Sequence, residues 1–358
     1  GQGLGAGAGP PMSLTIAGDM FSVAERAKVQ GYIASVWGVS AVLGPTLGGV
    51  FSEYLSWRWI FLVNLPLCAI AAWMLMRNFA EEKITRRSRI DYPGAILLTG
   101  GAALMILGLL EGGQAWAWVS PAGIGVFVAG TLLLVAFVLV ERRVADPILP
   151  LHMLTRRVLV ASSLVSLSVG AILMGLTSYV PTFVQGVLGT GALVAGFALA
   201  VLTIGWPIAA SQAGRLYLRV GFRTTALIGS VLVLAGSALL LLLGDGSPVW
   251  QVGATCFVIG SGMGLIATPT LIAAQSSVDW SERGVVTSTN MFARSIGSAV
   301  GVAVFGALVN SRVGDTAEPD PTALSGAIHL VFVGILGIAV LLTVSSALMP
   351  RAEKALDG

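Results

Sequence analysis

The sequence is poor in charge. Of its 358 residues only 10% are charged and 56% are hydrophobic, whereas a soluble domain carries roughly 25% charged residues. So few solvated side chains exclude a water-soluble globule. Lysine is scarce: Lys28, Lys83 and Lys354 lie outside any glycine-rich loop, and no G-x-x-x-x-G-K-[ST] occurs, which argues against ATP-driven chemistry in this chain. The cysteines, Cys68 and Cys256, both fall in apolar stretches without loop partners, so they are expected as buried thiols and not as a disulfide or metal pair. His152 lies in a loop and His329 near the start of the last apolar stretch, too isolated to make a metal site. No nucleophile, base and acid stand in a recognisable set, so neither an enzyme nor a cofactor or metal is expected. The glycine clusters GAGAG near Gly5 and GSGMG near Gly260 follow no strand and read as helix packing, not as phosphate loops.

What the chain has is long apolar runs. A bilayer core of about 30 Å takes roughly 20 apolar residues as a helix, and such windows recur at 29–51, 57–76, 92–110, 120–140, 158–185, 192–213, 224–243, 249–275, 285–309 and 325–348. The expected fold class is an all-α integral membrane protein with about ten complete transmembrane helices. A further apolar stretch, 1–18, begins without methionine or flanking charge and lacks the basic first region of a signal peptide, so it is expected to be part of a helix whose upstream sequence is missing.

The basic residues divide unevenly. Alternate connections and the tail carry 17 of the 20 lysines and arginines, the opposite side carries Arg58 and Arg312, and Arg294 lies within a span. By the positive-inside rule the basic loops and the C-terminal tail are cytoplasmic. Trp57, Trp59, Trp116, Trp118 and Trp250 then sit at outer connections, where an indole buries its ring and keeps its N–H wet.

The stretch VLGPTLGGVFSEYLSWRWIFLVNLP, residues 42–66, places poor helix formers in a membrane run. Ser40, Gly44 and Gly48 share one helix face and permit a close helix neighbour. Pro45 removes a backbone hydrogen bond and bends the helix, which a membrane tolerates where neighbours or a cavity satisfy the freed carbonyl. The residues by themselves fit an ordinary kinked, packed transmembrane helix as well as a functional one.

The order of these residues is more specific. Gly44-Pro45-x-x-Gly48-Gly49 followed by W-R-W-I-F-L-V-N-L-P resembles the antiporter motif of the major facilitator superfamily, in its fourteen-spanning drug:proton antiporter family. Gln2-Gly3-x-Gly5-x-Gly7 is similar to the end of that family's R-x-x-Q-G-x-G motif. GRLYLRVGFR, with Gly214, Arg219, Gly221 and Arg223, looks like a worn copy of the superfamily's G-x-x-x-D-R-x-G-R-R conformational loop, with Leu218 in place of the aspartate and Phe222 in place of an arginine. Glu282 to Gly301 resembles the family's penultimate helix.

The resemblance implies a major facilitator-type bundle. Residues 1–78 would be the remainder of an N-terminal bundle, 79–157 linkers and an extra central hairpin, 158–350 a six-helix C-terminal bundle and 351–358 a cytoplasmic tail. It implies export of a small amphipathic substrate in exchange for protons from a monomer in the cell membrane, with no nucleic-acid partner. The first three helices, with the acidic residue and arginine the family uses in proton coupling, would precede Gly1. A proton-independent facilitator, or a non-transporting membrane partner or sensor, is the alternative.

Polar groups inside spans are the remaining candidates for a cavity or for coupling. Arg294 lies 11 residues after Arg283 and 18 before Arg312, near mid-helix, where a charge faces a cavity or a partner, or snorkels to an edge. Asn290 is one turn earlier on the same face. Tyr179, Gln185, Trp206, Gln212 and Gln275 complete the set, each more often a helix-to-helix hydrogen bond than a ligand contact. No carboxylate lies deep in any span; Asp19, Glu53, Glu111 and Asp245 are all near ends.

The charge division makes a direct prediction. Cysteines placed in the loop 77–91 should resist an impermeant thiol reagent added outside intact cells, and those placed in 111–120 should react; equal labelling would refute the orientation.

Overall fold

The computed structural model describes residues 2–21, 58–78, 91–149 and 155–350, apart from 114, 145, 146 and 314–320, together with scattered positions between 25 and 56. Gly44, Pro45, Gly48 and Gly49, where a bend is expected, lie outside the described residues.

In lipid a backbone must satisfy its own polar groups, which a helix does within one segment. The described chain is accordingly helical: α1 Gln2–Met20, α2 Trp59–Leu62, α3 Asn64–Asn78, α4 Tyr92–Glu111, α5 Pro121–Glu141, α6 Arg157–Gly186, α7 Ala192–Val220, α8 Phe222–Leu240, α9 Val249–Ser276, α10 Arg283–Val313 and α11 Pro321–Leu348. Among the described residues eight helices, α4 to α11, are long and apolar enough to cross a membrane. The starts of the central hairpin are chemically marked. Asp91 accepts from the Gly94 amide at the head of α4, Ser120 accepts from Gly123 at the head of α5, and each helix has a proline in its first turn.

Three expectations need correction. The stretch 57–76 is not one uninterrupted helix: it breaks at Val63 into α2 and α3, because Pro66 has no N–H to give the Leu62 carbonyl four residues back. Cys68 on α3 is exposed, and only Cys256 is buried. The segment read as a conformational loop is mostly helix: α7 continues past 213, so Gly214 and Arg219 are helical and Arg223 already belongs to α8. The connection shrinks to Gly221, whose φ of 85° is a conformation that a side chain would strain.

Helices α6 to α11 pack around one apolar core. Val169, Ile172, Leu176 and Phe183 of α6 meet Leu202 of α7, Val233 of α8, Ile259 and Met263 of α9, Phe305 of α10 and Ile328, Phe332 and Ile335 of α11. The α4–α5 hairpin packs on itself, and both α4 and α1 touch α10. At the end that holds Asp245, the His329 ring nitrogens lie 2.9 Å from the Ser325 carbonyl and 2.7 Å from the Leu243 carbonyl, and Ser325 donates to Asp245.

Small residues set the spacing of this bundle. A Cβ at Gly170 would collide with the Arg294 carbonyl, and one at Gly297 with the Leu167 carbonyl; Gly301 has 3.0 Å of room to Ala171. Ser298 of α10 donates to the Gly170 carbonyl. On α9, Gly260 and Gly264 press against α7 and Gly262 against α8, so GSGMG is a packing element. Gly5 and Gly9 of α1, by contrast, face open space.

Gly297→Leu should therefore lower the thermal stability of the purified protein by about 1–3 kcal/mol. Gly337→Leu, where nothing lies within 4 Å, should change it by less than about 0.5 kcal/mol. Detergent melts of both variants check the contrast.

Candidate functional site

The candidate residues distribute around α10. Arg294 is partly exposed on that helix, and its guanidinium carbon lies 5.0 Å from the ring centroid of Trp206 on α7. This is cation–π geometry, in which the ring face takes the place of a counter-ion. Helices α7 and α10 both pack on α9, so this contact bridges two elements across a third. The backbone of Arg294 is held just as closely, since its carbonyl faces Gly170 where no side chain would fit.

Asn290 is satisfied structurally. Its amide donates to Ser162 at 3.3 Å and to the Val286 carbonyl at 3.2 Å, and its carbonyl accepts from Ser166 at 2.8 Å. Gln275 donates to Thr287 at 2.9 Å, tying α9 to α10, and its Oε1 is buried without a partner. Both are interhelical ties near the first residues of α10. Tyr179 meets Phe305 edge-on at 6.3 Å. Gln185 is exposed and reaches back to the Pro181 carbonyl. Gln212 is exposed and accepts from Arg215. Gln2 lies in α1. The structure thus joins Trp206 with Arg294 directly; the contacts described for Tyr179, Gln185 and Gln212 are with other residues.

The neighbouring face of α10 lines a cavity of about 380 Å³. Val285, Ser288, Thr289, Met291, Phe292 and Ser295 form one wall, and Pro11 of α1, Leu98 of α4, and Ile148 and Leu149 of the segment after α5 form the others. Its surface is mainly apolar with a few hydroxyls, the chemistry of a site for an amphipathic molecule. Sequence reasoning singled out none of these residues. The signal was present as the helical spacing of positions 288, 292 and 295, but nothing in sequence distinguishes a cavity face from a lipid face.

Comparison with known proteins agrees with this architecture. A family model described as Major Facilitator Superfamily matches residues 1–302. The chain is 33% identical over 316 residues to the multidrug transporter protein MdtP of Bacillus subtilis (strain 168), covering 88% of this chain and 58% of that protein. It is 34% identical over 308 residues to multidrug resistance protein 3 of the same organism, covering 85% and 60%. To the puromycin resistance protein pur8 of Streptomyces alboniger it is 34% identical over 311 residues, covering 85% and 61%. The chain spans about three fifths of the length of these relatives. Among solved structures, a mutant of the nucleoside transporter NupG aligns with a TM-score of 0.50 at 14% identity, over 95% of this chain and 87% of that one, a likeness of fold alone.

Asn290→Ala should cost about 1 kcal/mol of stability, since it takes the acceptor from the Ser166 hydroxyl and a donor from Ser162, which keeps its own bond to the Leu159 carbonyl. The melting shift in detergent should disappear when Ser162→Ala and Ser166→Ala are already present; an undiminished shift would show that the asparagine acts through other contacts.

Proposed function

The chain belongs to the major facilitator superfamily, and from that premise we propose that it serves in a multi-pass transporter that exports amphipathic small molecules in exchange for protons. The relatives named for multidrug transport and puromycin resistance support this reading. The observation that carries it is the apolar, hydroxyl-dotted cavity between α10, α1 and α4. Its walls come from helices on both sides of the expected bundle boundary, so relative movement of those helices would open and close it, as alternating access requires. Arg294 and Trp206 supply a charged and aromatic edge on the neighbouring face of the same helix.

In this reading Gly44, Pro45, Gly48 and Gly49 hold a bent, closely packed helix that limits leak in the outward-closed state. Gly214, Arg219, Gly221 and Arg223 form the cytoplasmic corner at which α7 and α8 move together. The C-terminus is cytoplasmic, the protein works as a monomer in the cell membrane, and the lipid bilayer and protons are its other partners.

Drug-driven proton release from everted vesicles carrying the full-length protein tests the proposal. Arg294→Lys keeps the charge but loses the planar face that stacks on Trp206. It should lower coupled export by about tenfold, equivalent to ~1.4 kcal/mol, while membrane abundance stays near that of the unsubstituted protein. Normal export in this variant would return Arg294 to a packing role, and drug efflux without proton movement would favour a facilitator.

A further inference from the structure

Two carboxyl groups are buried together at the foot of the central hairpin. Asp91, which precedes α4, is 5% exposed, and Glu141, the last residue of α5, is 3% exposed. Each has one oxygen occupied. Asp91 Oδ1 accepts from the Gly94 amide at 2.9 Å, and Glu141 Oε1 accepts from the Leu149 amide, with the Ile148 amide also directed at this carboxyl. The other two oxygens, Oδ2 and Oε2, are buried without a donor. They converge over Gly94, where a Cβ would collide with Oδ2 and come within 3.1 Å of Oε2. The two carboxyls are hydrogen-bond partners in position and acceptors in chemistry. Acceptor facing acceptor is satisfied only when something positive stands between them.

No side chain on the described elements supplies that charge. Tyr92, Arg142 and Arg143 are exposed. On α10 the residues that share a cavity wall with Ile148 and Leu149 are Val285, Ser288, Thr289, Met291, Phe292 and Ser295, none of them charged, while Arg294 lies against Trp206; Arg283 and Arg312 stand near the two ends of that helix. Helix α1 carries one acidic residue, Asp19, eight positions beyond Pro11.

We propose that Asp91 and Glu141 bind one proton between Oδ2 and Oε2, and that this shared proton latches residues 147–149 onto the hairpin. Two ionised carboxylates at hydrogen-bond distance in a buried site repel, and a single proton replaces that repulsion with a short, charge-assisted hydrogen bond. The consequence reaches the cavity, because Ile148 and Leu149 are both part of its wall. With the proton bound, Glu141 holds their amides in place. When the proton leaves, the carboxylates separate and that wall is released. The inference does not depend on export and holds for any function of the fold.

The test uses purified full-length protein in detergent with Cys68 and Cys256 replaced by serine and Leu149→Cys as a reporter. This change keeps the amide that Glu141 accepts. Maleimide labelling is measured from pH 6 to pH 9 relative to Arg143→Cys, which corrects for the reagent's own pH dependence. The relative rate should rise several-fold with pH as the proton is lost. In Glu141→Gln the amide N–H₂ donates to Asp91 Oδ2 while the carbonyl still accepts from Leu149, so labelling should stay slow at every pH. Asp91→Asn should behave alike, and Glu141→Ala should be fast throughout. Should the alanine variant not fold, the glutamine and asparagine variants decide the matter alone. Fast labelling of Glu141→Gln at pH 6, or the same pH profile in it as in the unsubstituted pair, overturns the proposal. So does protection that follows sodium concentration and not pH, which would put a metal cation in the gap.

Discussion

Close backbone contact between α6 and α10 is the constraint on which the rest depends. Inside a bilayer, lipid tails are as apolar as leucine, so helices gain little by hiding apolar surface from each other and must instead approach closely enough for dense packing and interhelical hydrogen bonds. Gly170, Gly297 and Gly301 supply that approach, and Ser298 donates across the seam to the Gly170 carbonyl. Once α10 is pinned by this row its rotation is fixed, and the direction of its other faces follows. One turns Arg294 onto Trp206; the other turns Ser288, Phe292 and Ser295 into the cavity.

Polar residues in this fold sort by whether their partners are already complete. Asn290 has both its amide and its carbonyl occupied and ties α10 to α6, so it acts as a fastener; Gln275 ties α9 to α10 through its amide while its Oε1 lacks a donor. Arg294 has an aromatic face beside it and partial exposure, and among the described residues no carboxylate pairs with it. Asp91 and Glu141 are the reverse case, sealed from water yet each one donor short. Incomplete satisfaction in a buried site is costly.

The helical architecture was readable in advance because its cause is local. Eight apolar runs, 92–110 through 325–348, became α4 to α11 with ends mostly within a few residues, since the bilayer requirement acts on each segment separately. Two departures, one in the stretch 57–76 and one at the end of α7, have identifiable reasons. Pro66 withholds a donor from Leu62 and splits a stretch that composition alone runs together. The helical propensity of LYLR carries α7 past 213 until Gly221 turns the chain. Cys68 was misjudged because hydrophobicity reports whether a segment enters the membrane and not which side of it meets other helices.

The sequence by itself determined that this is a membrane-spanning, all-helical chain of the major facilitator kind, because bilayer thickness and motif order are written in contiguous residues. It also named Arg294 and Trp206 as candidates without pairing them. Only the tertiary structure decided that these two meet, that Asn290 is a fastener, that α10 shares a cavity with α1, α4 and residues 148–149, and that two carboxyls 50 positions apart converge over Gly94. Each of these is a relation between helices. Their rotation and depth are set by where small residues let backbones touch, and an apolar run carries no mark of which neighbour it will find.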